Sequence, residues 1–122
     1  MSRVVHFEIT AEDPDRAAGF YSQVFGWQFN KWEGPMEYWL ITTGPEDLPG
    51  INGGLIRREE RGPGTVKTID VPSVDEFTSK IEQHGGKVLA PKMAIPGIGW
   101  FASCEDSEGN AFGLMQNDPA AS

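Results

Sequence analysis

The stretch EGNAFGLMQ, Glu108 to Gln116, reads as a turn, Glu108-Gly109-Asn110, that runs into a short apolar strand. A bare glycine, Gly113, sits in the middle of that strand. Glycine weakens a strand interior, because it adds backbone entropy and packs nothing. A second strand candidate, Ile51 to Arg57, carries the same defect at Gly53, an offset of 60 residues. Working outward from these two glycines, other positions pair at that offset: Ile9 with Ile69, Asp15 with Asp75, and Gly26 with Gly86. The identities are few. The order of elements carries more weight.

The first strand, VVHFEI, alternates Val5, Phe7 and Ile9 on one face with His6 and Glu8 on the other. A helix follows, with Asp13 as N-cap, Pro14 at the first helical position and Gly26 as the stop. Trp27 to Trp32, Glu37 to Thr43 and Ile51 to Arg57 read as three strands. REERGPGT, Arg58 to Thr65, reads as a link. The pattern then restarts with TVKTIDV and a helix capped by Ser73, with Glu76 at the capping-box position and Gly85-Gly86 at its end. KVLA, KMAI and WFASC read as short strands, and AFGLMQ closes the chain. The expectation is a single α+β domain of 122 residues, with modules at 1–60 and 61–122.

Composition narrows the function. Lys and Arg number 10 against 18 Asp and Glu, a formal charge of -8, which disfavours nucleic acid and anionic membrane as partners. The chain start lacks a signal peptide's apolar stretch, and no apolar run is long enough to span a bilayer, so a cytoplasmic protein is expected. A single cysteine, Cys104, excludes an intrachain disulfide and any multi-cysteine zinc site.

The order of elements, FYSQVFGW after the first strand and EDSEGNAFGLM at the end together resemble the glyoxalase/bleomycin-resistance/extradiol-dioxygenase superfamily, also called vicinal oxygen chelate proteins. The resemblance implies two βαβββ modules whose sheets curl around a cleft, and a homodimer. In metalloenzyme relatives it implies four ligands, on the first and last strand of each module. Those positions fall here at His6, Gly53, Val66 and Gly113. Asn52-Gly53 is also a hairpin-turn signal, which would shift the Gly53 position by a residue or two, and Gly54 would supply no ligand either. Glycine and valine side chains offer a divalent ion no lone pair, so no metal or other cofactor is expected. Glyoxalase I-type isomerisation and extradiol cleavage, which depend on that metal, are expected to be absent.

His6 and Glu8 remain as candidate catalytic residues. Their side chains start roughly 6–7 Å apart on one strand face, suited to a general base and acid or to a buried histidine beside a solvated glutamate. Gly53, Leu55 and Arg57 are expected to share a ligand-binding face, as are Val66, Thr68 and Asp70, with Gly113 opening space above the sheet. Arg57 and Asp70 also suit a rim ion pair. Trp100 and the Trp39 region suit either pocket walls or core. Three functions stay open: a metal-independent binder of a small organic molecule, a metal-independent lyase or isomerase using His6 and Glu8, and a non-catalytic interaction module with a lost site.

Overall fold

The structure is a computed structural model that describes residues 2–58 and 64–122. Of the link REERGPGT, the stretch 59–63 lies outside the described residues. The elements run β1 (Val4–Ala11), α1 (Pro14–Phe25), β2 (Gln28–Lys31), β3 (Trp39–Thr42), β4 (Gly53–Arg57), β5 (Thr65–Asp70), α2 (Val74–Gln83), β6 (Lys87–Ile95), β7 (Gly99–Glu105) and β8 (Ala111–Asn117). This is βαβββ twice. Two compact units result, His6–Thr65 and Val66–Ser122, the latter including the chain start through Val5. No helix among the described residues is long and apolar enough to cross a membrane.

Local chemistry explains both helices. Asp13 accepts a hydrogen bond from the Arg16 backbone N–H at 3.1 Å, and Pro14 enters the first turn, where its missing N–H costs nothing. Gly26 ends α1 in the left-handed region, φ 76°, which a side chain would disfavour. Ser73 caps α2 through Glu76 N–H at 3.1 Å. The Gln116 side chain takes a further orphan donor, Val74 N–H, at 2.9 Å, tying the helix start to β8.

In the first unit the strands lie in the order β2-β3-β4-β1, with β1 and β4 parallel and the other pairs antiparallel. Phe7 stands opposite Gly53 and Ile9 opposite Leu55. These residues face α1, where Ala11, Ile41 and Leu55 form a buried core backed by Phe7, Ile9, Ala17, Ala18, Trp27, Phe29 and Trp39. In the second unit the order is β5-β8-β7-β6, and Val71, Val74, Ala102, Cys104, Phe112 and Leu114 form the core against α2. KVLA and KMAI join as one strand, β6, whose register against β7 shifts twice. The alternation of apolar residues breaks at those shifts, so the sequence shows two short runs where the chain keeps one.

The register corrects the repeat. Gly54 stands opposite Glu8, and Gly113 stands opposite Thr68. Glu8 and Thr68 keep the offset of 60, but the last strands match at 59, pairing Gly54 with Gly113. A slip of one residue turns every side chain of a strand to the other face. Gly53 and Leu55 therefore face the helix, away from His6 and Glu8.

Gly53 is required by backbone crowding: a Cβ there would meet the Phe7 carbonyl oxygen at 2.5 Å and its ring at 2.7 Å. A Cβ on Gly44 would meet nothing within 4 Å. Gly53→Ala is expected to lose about 1–3 kcal/mol of stability through overpacking and Gly44→Ala to change it by less than about 0.5 kcal/mol, read by urea denaturation.

Candidate functional site

β1 carries His6, Glu8 and Thr10 on the sheet face opposite α1. Gly54 of β4 and Leu40 of β3 continue the row through Glu8. Tyr38 stands two residues before Leu40, at the entry to β3, and so belongs to the same face. Its phenol leans diagonally over Gly54: a Cβ on that glycine would collide with the Tyr38 hydroxyl oxygen and ring. There the Tyr38 oxygen lies 2.7 Å from His6 Nε2, with the two rings stacked at 6.5 Å between centroids. Trp32 meets the Tyr38 ring edge-on, and its backbone N–H donates to the Tyr38 carbonyl at 2.8 Å. Trp32 itself folds over Gly34, which has no room for a side chain.

The electrostatics follow from this packing. Burial holds His6 below the ordinary histidine range, and the nearby negative charge of Glu8 partly offsets it. Burial also pushes the Tyr38 phenol far above its ordinary range, reinforced by the charge of Glu8 and a hydrogen bond with it. The arrangement is an imidazole and a phenol in direct contact, both kept neutral by burial, with Glu8 on the same sheet face.

The second unit repeats the cover without the polar group. Phe101 stands two residues before Ser103, which pairs with Gly113, and its ring lies 2.7 Å from where a Gly113 Cβ would be. The expectation that Gly53 and Gly113 leave open space for an organic ligand is thus corrected. Phe7 takes the space at Gly53 and Phe101 that at Gly113.

Other expected site residues part company. Leu55 is fully buried in the α1 core, so it lines no open face. Arg57 points to Glu37, at 2.9 Å, and to the Glu12 carbonyl at 3.2 Å, a solvent-exposed pairing. Trp39 packs against the first core. Trp100 packs against the second, donates to Asp118 at 3.0 Å and lies under the Lys92 ammonium, 4.9 Å from its ring centre. Thr68 is buried beside Gly113, Val66 is half-buried, and Asp70 accepts a hydrogen bond from Asn117 at 3.2 Å. Sequence reading missed Tyr38. Its signal was a phenol two residues ahead of the residue opposite a strand glycine, which only the register reveals.

The corrected register moves the positions at which the resemblance implies metal ligands to His6, Gly54, Val66 and Gly113, and only His6 has a donor side chain. Among the described residues no three His, Cys, Asp or Glu side chains gather closely enough to hold an ion. These residues do not fit the family's metal.

Comparison with known proteins agrees with this architecture. Residues 3–44 match the family model for the bleomycin resistance protein-like N-terminal region. A glyoxylase-like domain-containing protein of Didymella fabae is 30% identical over 112 residues, covering 88% of both chains. A putative glyoxylase of Mycobacterium bovis is 26% identical over 118 residues, and the match spans only 43% of its length. Among solved structures, methylmalonyl-CoA epimerase of Mycobacterium tuberculosis superposes with a TM-score of 0.71 at 15% identity, covering 95% of this chain and 88% of that one. A hypothetical protein of Bacillus halodurans reaches 0.74 at 14% identity, covering 99% and 98%. A methylmalonyl-CoA epimerase in complex with methylmalonyl-CoA and ammonium reaches 0.70 at 18% identity, covering 100% and 99%.

The lowered affinity of folded His6 for a proton predicts a pH effect on stability. The unfolded chain takes up that proton at higher pH than the folded one. The contribution is therefore complete above the ordinary histidine range and falls as acidification passes through it. Urea midpoints at about pH 7.5 and about pH 5.5 are expected to differ more in the wild type than in His6→Gln. Equal differences would assign the effect to other groups.

Proposed function

The chain belongs to the glyoxalase-like domain family, and from that premise we propose that it binds a small organic molecule without the family's divalent metal. The ligand lies on the sheet face of the first βαβββ unit opposite α1, where His6, Glu8 and Tyr38 supply the polar contacts. The observation that carries this reading is the 2.7 Å contact of His6 with Tyr38 above a bare Gly54. Trp32, Leu40 and the Tyr38 ring add the apolar surface that small-molecule sites combine with a few polar groups.

A second reading is metal-independent lyase or isomerase chemistry with His6 and Glu8 as base and acid. The observation favouring it is the burial that keeps His6 neutral, with a lone pair available near neutral pH. Its mark is turnover that disappears in His6→Ala while the fold persists.

Metal analysis of protein purified without chelator, with thermal shifts, tests the binding reading. The panel holds methylmalonyl-CoA, carried by one solved neighbour, a glutathione hemithioacetal and bleomycin. Metal-free protein stabilised by one of these is expected, by about 2.7 kcal/mol at a hundredfold excess over Kd. His6→Ala should weaken that ligand about tenfold, the worth of one hydrogen bond. Stoichiometric tightly held divalent metal, or no stabilisation by any of the three, would overturn the proposal.

A further inference from the structure

Where β1 turns into α1, the first unit holds a hollow of about 390 Å³. That volume falls within the roughly 300–1,000 Å³ of small-molecule pockets. Ile9 and Ala11 of β1, Arg16, Phe20 and Tyr21 of α1, and Arg58 just past β4 line it. His6, Glu8 and Tyr38 are not among its walls. Alanines leave the space: Ala11 on the strand and Ala17 on the helix each border it with a single methyl group.

Its two arginines differ. Arg58 is already engaged: Nη2 donates to the Thr10 carbonyl at 3.3 Å, Nε donates to Thr10 Oγ1 at 3.5 Å, and Nη1 lies 3.8 Å from a Glu12 carboxylate oxygen. Arg16 gives its backbone N–H to the Asp13 cap, and among the described residues its guanidinium has no hydrogen-bond, ion-pair or ring partner. Phe20, four residues on and so beside Arg16 on the helix surface, is 55% exposed and stands outside the core of its unit. Tyr21 meets the Phe20 ring edge-on, with centroids 5.2 Å apart. An unpaired guanidinium next to an exposed ring matches a molecule with a carboxylate at one end and a planar apolar body at the other. Glu12 and Asp13 also border the hollow, so a doubly charged phosphate meets more repulsion there than a single carboxylate does.

We propose that this hollow is a second ligand site, separate from the His6 face, for a small aromatic monocarboxylate. The Arg16 guanidinium pairs with the carboxylate, and the ligand's ring packs on Phe20. Arg58, held by Thr10, adds a fixed positive charge. The site does not rest on the binding function proposed for the His6 face.

The probe is phenylpropionate, titrated into the full chain and followed by backbone amide NMR, with phenylpropanol and inorganic phosphate as comparisons. Saturable shifts centred on Ile9 to Tyr21 and Arg58 are expected at about millimolar concentration, with the alcohol and phosphate at least about tenfold weaker. Arg16→Gln and Phe20→Ala, both at exposed positions, are each expected to weaken the probe about fivefold or more. His6→Ala is expected to leave its affinity unchanged. No saturable binding, an alcohol or phosphate that binds as well as the acid, or unchanged affinity in either α1 variant would overturn the proposal. So would shifts centred on His6 that vanish in His6→Ala, which would move the probe to the first site. Failure of the thermal-shift panel ends the reading of the His6 face and leaves this one intact.

Discussion

A glycine in a strand interior leaves bare backbone that some neighbouring group must cover. In this protein the cover is an aromatic ring delivered from the adjacent strand, Tyr38 over Gly54 and Phe101 over Gly113. Diagonal neighbours on one sheet face lie within reach of long side chains, which makes the contact geometrically natural. Everything distinctive about the open face of the first unit follows from it. The ring needs the glycine, because any Cβ would occupy its place. The hydroxyl then falls beside His6, because His6 and Glu8 alternate onto that same face.

The contact also determines the electrostatics. Covering His6 with a phenol removes water from the imidazole and disfavours its charged form. The same burial, with Glu8 nearby, keeps the phenol protonated. The result is an imidazole and a phenol in direct contact, with Glu8 on the same sheet face. Here the phenol oxygen answers the imidazole nitrogen directly, and the polar group of the site is a side chain of the protein itself.

Much of the fold was legible in the residues. Asp13-Pro14 and Ser73 mark helix starts, Gly26 and Gly85-Gly86 mark stops, and alternation in VVHFEI separates Phe7 and Ile9 from His6 and Glu8. These signals are local, since capping and strand alternation depend on neighbours a few positions away. The pairing of His6 with Glu8 was legible for that reason. The equivalence of Gly53 with Gly113 was misread because two adjacent glycines, Gly53 and Gly54, look alike in a sequence and face opposite ways in a strand. The same slip drew Leu55 and Arg57 onto the wrong face. Tyr38 escaped notice because it lies 32 residues from His6, and nothing local connects them.

The amino-acid sequence by itself determined the repeated βαβββ order, the helix limits, the acidic charge and the presence of His6 and Glu8 on one strand face. All of these arise from short-range chemistry or from composition. The tertiary structure decided which glycine meets Glu8, which ring covers it and where the ring's hydroxyl goes. Those outcomes depend on the register between strands far apart in the chain. A shift of one residue there exchanges core for open face, and no local pattern records it.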